Sequence, residues 1–443
     1  MSRRYFGTDG VRGEVGKHPM TAEFALRLAN AAAQVLAPDG GSVMIGKDTR
    51  VSGYMFESAL EAGFVAAGVD VMLLGPLPTP GIAFMTRSFS ADLGVVISAS
   101  HNPFYDNGIK FFDRNGSKLS DDVELAIERL LDQPSITRES QRLGRARRVD
   151  TSRVRYQDFC KDSIKGVSLD GLRIVLDCSN GAGYKVAPRI LNELGAQIIP
   201  IGCSPNGRNI NDTCGSTHPE LLQKTVVAVD ADMGIALDGD GDRLVMVDNL
   251  GNLIDGDQLI YIIARARAQA GRLSGPVVGT VMSNLGLERA LQSEGIAFVR
   301  AKVGDRYVIE QMQRHGASLG GESSGHLICL DKTTTGDGII SALQILAIVR
   351  STGRPLNELA AEMPIYPQCM INVRVEQRFD PGESAPINAA VEQAERALAE
   401  RGRIVLRASG TEPVIRVMVE GEDESEVRTT AESLADVVRS AAA

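Results

Sequence analysis

An α/β fold is predicted, built from three similar α/β/α units and a smaller α+β unit at the C-terminus. Two observations lead there. The strand-like segments are continuous apolar runs rather than alternating ones, as expected of strands buried on both faces between helices. One order also recurs three times: apolar strand, loop of small and polar residues, amphipathic helix, glycine-led second strand. "GGSVMIGKDTRVSG" leads into a helix over 55–67 and then "GVDVMLLG". "LRIVLDCSNGAG" leads into a helix over 184–194 and then "GAQIIPIG". "GPVVGTVMSNLG" leads into a helix over 287–294 and then "GIAFVRAKVG". After "EMPIYPQCMINVRV" the character changes to alternating strands, a helix over 385–401, "GRIVLRASGTEPVIRVMVEG" and a last helix from Ser425, the pattern of an α+β unit.

The arginine-rich stretch "ESQRLGRARRVDTSR" (139–153) reads as a linker followed by a connecting helix. With a second cut at 252–255, it divides the 443 residues into units at 1–148, 149–253, 254–366 and 367–443. The formal net charge of −9 lacks the basic footprint that nucleic acid or an anionic membrane surface needs. An anionic ligand must therefore be captured locally. Six cysteines are scattered without CxxC spacing, which favours reduced thiols over a disulfide framework or a zinc site. The start "MSRRYFGTDG" has charge without an apolar leader core, and no apolar run approaches the roughly 20 residues of a membrane helix. A soluble, cytoplasmic protein is expected.

"ALDGDGDRLVMVDNLGN" places Asp238, Asp240 and Asp242 at alternate positions, so that in an extended segment the three carboxylates point one way. Such convergence is repulsive unless a cation screens it, and all-oxygen ligation suits Mg²⁺ or Ca²⁺. An EF-hand would need Gly at its sixth position and Glu at its twelfth, where this chain has Arg243 and Asn249. A hairpin turn rich in Asp and Gly is the plainer alternative. Mg²⁺ held by few protein ligands commonly serves phosphate. "RASGTEPVIR" offers a place for it: Arg407 and Arg416 flank Ser409, Gly410 and Thr411, combining guanidinium, hydroxyl and free amide donors. In "GGESSGH", Glu322 and Ser324 suit sugar hydroxyls and His326 suits proton transfer, although a polar turn would look the same. "SASHNPFYDNGIKFF" sets Ser100 beside His101 and places Lys110 ten residues beyond the serine. With no GxSxG elbow a serine hydrolase is disfavoured. A serine that carries a phosphoryl group beside Mg²⁺ fits better.

Taken in order, "FGTDGVRG", "SASHNP", "DGDGDR", "GESSGH" and "RASGTEPVIR" resemble the α-D-phosphohexomutases over nearly the whole chain. The resemblance implies four domains with mixed sheets around a central active-site cleft. It implies a phosphoserine at Ser100, with Asp238, Asp240, Asp242 and the phosphate on Ser100 as Mg²⁺ ligands. Glu322 and Ser324 match the sugar loop; Arg407, Ser409, Gly410, Thr411 and Arg416 match the phosphate loop. His101, Lys110, Arg243 and His326 match polar groups around phosphoserine and substrate, with Lys110 and His326 as the proton-transfer pair. Arg12 matches an arginine near the phosphoserine.

Within the family the motifs are most similar to those of bacterial members that interconvert glucosamine 6-phosphate and glucosamine 1-phosphate, on the route to UDP-N-acetylglucosamine. Glucosamine 1,6-bisphosphate is then the intermediate and activator, and a monomer or homodimer is expected. One position departs: Ser323 stands where those members usually have glutamine. A mutase acting on mannose or glucose phosphates is one alternative. A non-catalytic sugar-phosphate sensor is another.

Overall fold

The computed structural model describes residues 3–376, 379–408 and 413–442. Three mixed sheets share one design. In the first unit, strand Gly41–Lys47 lies between parallel partners Val69–Pro76 and Leu93–Ile97, and Leu93–Ile97 then pairs antiparallel with Asp106–Asp113. In the second, Arg173–Asp177 lies between Gln197–Ile201 and Met233–Leu237, followed by antiparallel Leu244–Asp248. In the third, Val277–Thr280 lies between Phe298–Ala301 and Leu319–Gly321, followed by antiparallel Leu327–Cys329. The parallel neighbours require crossover helices, and these cover the sheets as the continuous apolar runs demand. Met233–Leu237, Leu244–Asp248 and Leu93–Ile97 are buried throughout.

The helices of the repeat are Ser52–Ala67, Ala187–Glu193 and Leu285–Ser293, each close to its expected place. The middle one is shorter than expected because its first turn, Ala182–Lys185, is 3₁₀. Gly68, left-handed at φ 91°, ends the first of them and lets the chain reverse into the next strand.

The arginine-rich stretch differs from a plain linker. Its residues Ala146–Arg148 form a sixth strand, paired parallel with Val69–Pro76 at the edge of the first sheet. All three are exposed, so an edge position accepts them, and arginines there also discourage further strand pairing. A helix, Ser152–Asp162, follows.

The first three units share a continuous core running from Met44 and Leu77 through Ile235 and Leu244 to Ile260 and Leu346. The C-terminal unit has its own core under a three-stranded antiparallel sheet, with Val417 and Val419 packed on Val427, Leu434 and Val438. It docks on the third unit through buried Glu420, whose carboxylate accepts from Leu285 N at 2.8 Å and pairs with Arg403 at 2.7 Å. Among the described residues no helix is long and apolar enough to cross a membrane.

The topology puts the chemistry in one place. In every unit the loop between the third strand and its antiparallel partner carries a polar motif: 98–105, 238–243 and 322–326. Three equivalent loops are thus delivered to one cleft at the carboxyl ends of parallel strands, where ligands bind in open α/β sheets.

Candidate active site

Ser100 is held by the protein's own buried polar groups. It is buried and left-handed at φ 54°, a conformation a serine adopts only when its surroundings impose it. Arg50, with no exposed surface, donates to Ser100 O at 3.2 Å and also to Asn102 O; Asn211 Nδ2 donates to both carbonyls at 2.9 Å. Arg50 is itself paired with buried Asp48. Ser98 Oγ accepts from Ser100 N at 3.0 Å and donates to Asp48.

Across the boundary between the first two units, Ser100 Oγ donates to Asp238 Oδ2 at 2.6 Å. Asp238, Asp240 and Asp242 are buried, with ligand oxygens within 4.8 Å of one another. Burial and the other two carboxylates push Asp238 well above the usual range. Burial also acts against ionised Asp240, but Lys110 and the hydroxyl of Thr79 outweigh it and hold Asp240 well below. Thr79 Oγ1 donates to Asp240 at 2.7 Å and Lys110 Nζ at 2.8 Å. One oxygen each of Asp240 and Asp242 is buried without a partner. Orphaned carboxylate oxygens aimed into one space are the donor set of a hard divalent cation, so the residues fit such an ion.

Lys110 is also 2.9 Å from Asp9, a carboxylate that pairs with Arg12 and Lys118 as well. Burial disfavours charge on Lys110, yet Asp240 and Asp9 raise it above its ordinary value. His101 Nδ1 is 3.5 Å from Ser100 Oγ; burial, then Arg243 and Arg12, push the imidazole down to about 4. It is neutral at pH 7. His326 has the opposite surroundings: burial opposes its charge, but Asp242, Asp305 and Glu322 raise it to about 9. Its Nδ1 is 3.6 Å from Asp242 and its Nε2 3.5 Å from Asp305. Gly336 has no Cβ because one would meet the His326 ring at 2.4 Å.

Arg243 N donates to Asp238 Oδ1 at 3.2 Å, and its Nε is buried without a partner. Glu322 is fixed by Gly304 N at 2.9 Å, while Ser324 is exposed. Ser323 is used through its backbone, its carbonyl accepting from Gly256 N at 3.1 Å.

Arg407 and Arg416 face each other directly across paired strands Gly402–Ala408 and Val414–Gly421. Like charges so placed are unfavourable, and burial with Arg416 lowers Arg407, whose Nε has no partner. No hydrogen bond joins the two arginines to the rest of the site among the described residues. Ser409, Gly410 and Thr411 lie outside the described residues.

The structure therefore brings Arg12, Ser100, His101, Lys110, the three aspartates, Arg243 and His326 together with Glu322 nearby. It adds Asp9, Asp48, Arg50, Thr79, Lys118, Asn211 and Asp305, which sequence reasoning missed. "FGTDGVRG" and the "KDTR" that follows a repeat strand were the only available pointers to Asp9, Asp48 and Arg50.

Family models for phosphoglucomutase/phosphomannomutase match all along the chain: α/β/α domain I at residues 3–137, domain II at 155–251, domain III at 255–366 and the C-terminal domain at 370–437. A phosphoglucosamine mutase of Alcanivorax borkumensis is 57% identical over 442 residues, covering 100% of both chains. One from Thioalkalivibrio sulfidiphilus is 58% identical over 447 residues, covering 100% of this chain and 99% of its own. A crystal structure of a phosphoglucomutase/phosphomannomutase family protein from Burkholderia thailandensis aligns with a TM-score of 0.82 at 25% identity, covering 100% and 98% of the two chains.

Proposed function

The chain belongs to the phosphoglucomutase/phosphomannomutase family, and from that premise we propose that it interconverts glucosamine 6-phosphate and glucosamine 1-phosphate through a phosphorylated Ser100. The observation that carries this reading is the 2.6 Å contact from Ser100 Oγ to the buried carboxylate cluster of another unit. A nucleophile fixed in a left-handed turn and set against three convergent carboxylates suits phosphoryl transfer, which depends on positioning and electrostatics.

Asp238, Asp240 and Asp242 would hold Mg²⁺, which supplies positive charge to the phosphoryl group in flight. Ser100 enters the cycle phosphorylated. Its Oγ–P bond breaks as the free hydroxyl oxygen of the bound sugar forms a new bond to phosphorus, giving glucosamine 1,6-bisphosphate. The bisphosphate turns over, Ser100 Oγ takes the other phosphoryl group, and the isomeric monophosphate leaves. Lys110 and His326 serve as the proton-transfer pair: Lys110, held protonated by carboxylates, gives a proton toward Ser100 Oγ as its bond to phosphorus breaks, and His326, in its neutral fraction, takes the proton of the attacking sugar hydroxyl. The proton on Ser100 Oγ, given up when the serine is rephosphorylated, lies within reach of neutral His101. Arg12 and Arg243 line the same space as permanent cations, Glu322 and Ser324 take sugar hydroxyls, and Arg407 and Arg416, with Ser409, Gly410 and Thr411, hold the phosphate that is not reacting. Water exclusion matters because a phosphoserine open to solvent would hydrolyse.

The hexosamine specificity rests on the two full-length relatives, whose names state it. Ser323, where such bacterial members usually have glutamine, holds its loop through its carbonyl, which accepts from Gly256 N. We place the reaction in the cytoplasm, in keeping with six free thiols, and expect a monomer or homodimer. The test follows ³¹P signals of purified protein with Mg²⁺, a trace of glucosamine 1,6-bisphosphate and, in parallel, glucosamine, mannose and glucose 6-phosphates. Conversion of the glucosamine ester fastest, and none with Ser100→Ala, supports the reading. No 1-phosphate from glucosamine 6-phosphate overturns it.

A further inference from the structure

Seven side chains around the cleft form a series of alternating charge, Asp240, Lys110, Asp9, Lys118, Asp305, His326 and Asp242, and the two carboxylates at its ends close it into a ring through the aspartate cluster. Asp240 and Asp242 come from the second unit, Lys110, Asp9 and Lys118 from the first, and Asp305 and His326 from the third. Lys110 and His326 are connected along two arcs. One runs through the carboxylate cluster that receives Ser100. The other consists of Asp9, Lys118 and Asp305 alone.

Lys118 is the joint of that second arc. Its ammonium is 2.5 Å from Asp9 and 2.6 Å from Asp305, and all three side chains are mostly buried. The segment that carries it is rigidly tied to the strand of Lys110: Lys118 bridges back to Phe112, and Asp113 N donates to Ser117 O at 2.7 Å. The same segment is pinned to the third unit, because Thr334 Oγ1 donates to Gly116 O at 2.7 Å and Arg306 Nη2 to Leu119 O at 2.6 Å. Asp305 begins helix Asp305–His315, directly after Gly304, whose amide is held by Glu322. Lys118 also borders a cavity of about 480 Å³ at the seam between the two units, lined as well by Tyr307 and Gln313. Lys118 is thus linked to Lys110 and His326 through the two carboxylates it bridges.

We propose that Lys118 and Asp305 are positioning residues: their ion pair clasps the first unit to the third and sets the spacing between Lys110 and His326. The proposal rests on the mutase reading, in which those two groups move the protons. Breaking the clasp leaves every group that touches substrate in place chemically but frees their separation, and a misplacement of about 1 Å can cost on the order of 100-fold in rate. Two partly buried ion pairs on one ammonium also make Lys118 hard to replace by an uncharged residue, since Asp9 and Asp305 would each lose a partner, Asp9 keeping Arg12 and Lys110 and Asp305 keeping only His326 among the ion pairs of the described residues.

The test compares Lys118→Met, Lys118→Arg, Asp305→Asn and the Lys118→Met/Asp305→Asn double variant as full-length proteins. Two readouts are taken: kcat and KM with glucosamine 6-phosphate, and the imidazole signals of His326 by ¹H–¹⁵N NMR, a spectrum kept readable by only five histidines. Expected are a fall in kcat of about 10- to 100-fold in Lys118→Met with KM within about twofold. His326 signals should shift in Lys118→Met and Asp305→Asn, most of both effects should be recovered in Lys118→Arg, and the double variant should be no worse than the poorer single one. Unchanged His326 signals in Lys118→Met overturn the clasp whether or not the wild type turns over. So do kcat values within twofold of an active wild type, or a Lys118→Arg variant as impaired as Lys118→Met. A wild type without turnover refutes the mutase reading instead, and the imidazole spectra still decide the clasp.

Discussion

Ser100 and Asp238, 138 residues apart in the chain, share a hydrogen bond of 2.6 Å across the boundary between the first and second units. The contact exists because Gly239 follows Asp238. A Cβ on Gly239 would be 2.6 Å from Ser100 O and 2.7 Å from Asn211 Nδ2. Gly239→Ala must push the aspartate loop away from the serine. We expect kcat to fall by about 10-fold or more while the protein stays folded, as a displacement near 1 Å at reacting groups costs on that scale. Steady-state kinetics beside a circular dichroism spectrum check it; unchanged kcat would show that the 2.6 Å contact is not needed.

Arg50 is the buried support of the serine turn, and its removal leaves Asp48 without its counter-charge in the interior. Breaking a buried pair in this way costs about 3–5 kcal/mol. Arg50→Ala should therefore lower the thermal midpoint and the denaturant midpoint together, and the surviving folded protein should be poorly phosphorylated at Ser100. Lysine at the same position should not restore activity, because it lacks the fork that reaches both carbonyls.

Arg407 and Arg416 oppose each other in register, and among the described residues no carboxylate pairs with either. Such a pair stores repulsion that a bound phosphate relieves. Millimolar inorganic phosphate should raise the melting temperature of the wild type and not of Arg407→Gln. The same substitution should raise KM for the hexosamine phosphate by about 10- to 100-fold, the loss of one charge-assisted contact of about 1.5–3 kcal/mol. Equal phosphate stabilisation of both proteins would remove these arginines from the binding account.

Asp257 gives the junction between the third and C-terminal units a pH dependence. Its Oδ2 accepts from Asn284 N at 2.7 Å, beside the docked Leu285, and burial followed by Asp255 raises its carboxyl to about 7. A carboxyl raised on folding keeps its proton in the folded state, so its contribution is fully present below about pH 4 and is lost as pH rises through about 7. In Asp257→Asn the melting temperature should fall less between pH 5 and pH 8 than in the wild type. Parallel curves for the two proteins would contradict the assignment.

Much of this architecture could be read from residues. Continuous apolar strands and the threefold strand, helix, strand order marked three layered units, and the structure shows all three with the same strand order. The change of pattern after "EMPIYPQ" marked the separate C-terminal sheet. Two things stayed hidden. The strand Ala146–Arg148 is stabilised by main-chain pairing at an exposed edge, so its arginines look like a linker and carry no apolar signal. The short strand Val11–Glu14, hydrogen-bonded to the strand of Lys110, likewise owes its place to a partner nearly 100 residues away.

The site divides along the same line. Residues gathered in a local motif, such as Asp238, Asp240, Asp242, Ser100 and His326, announce themselves by spacing. Lys118, Asp305, Thr79 and Asn211 act singly on groups far along the chain, and nothing near them in sequence distinguishes them from surface polar residues. Asp9 lies within "FGTDGVRG", yet its role as the carboxylate shared by Arg12, Lys110 and Lys118 is visible only in three dimensions.

The central claim is that Ser100 carries the phosphoryl group that reaches the sugar. The direct measurement is a single turnover with enzyme ³²P-labelled at Ser100, mixed with Mg²⁺ and unlabelled glucosamine 6-phosphate and quenched over milliseconds to seconds. The account expects the label to leave Ser100 and appear in glucosamine 1,6-bisphosphate and then in hexosamine monophosphate, with loss from protein matching gain in sugar. Label retained on Ser100 while glucosamine 1-phosphate accumulates, or released only as inorganic phosphate, would contradict it.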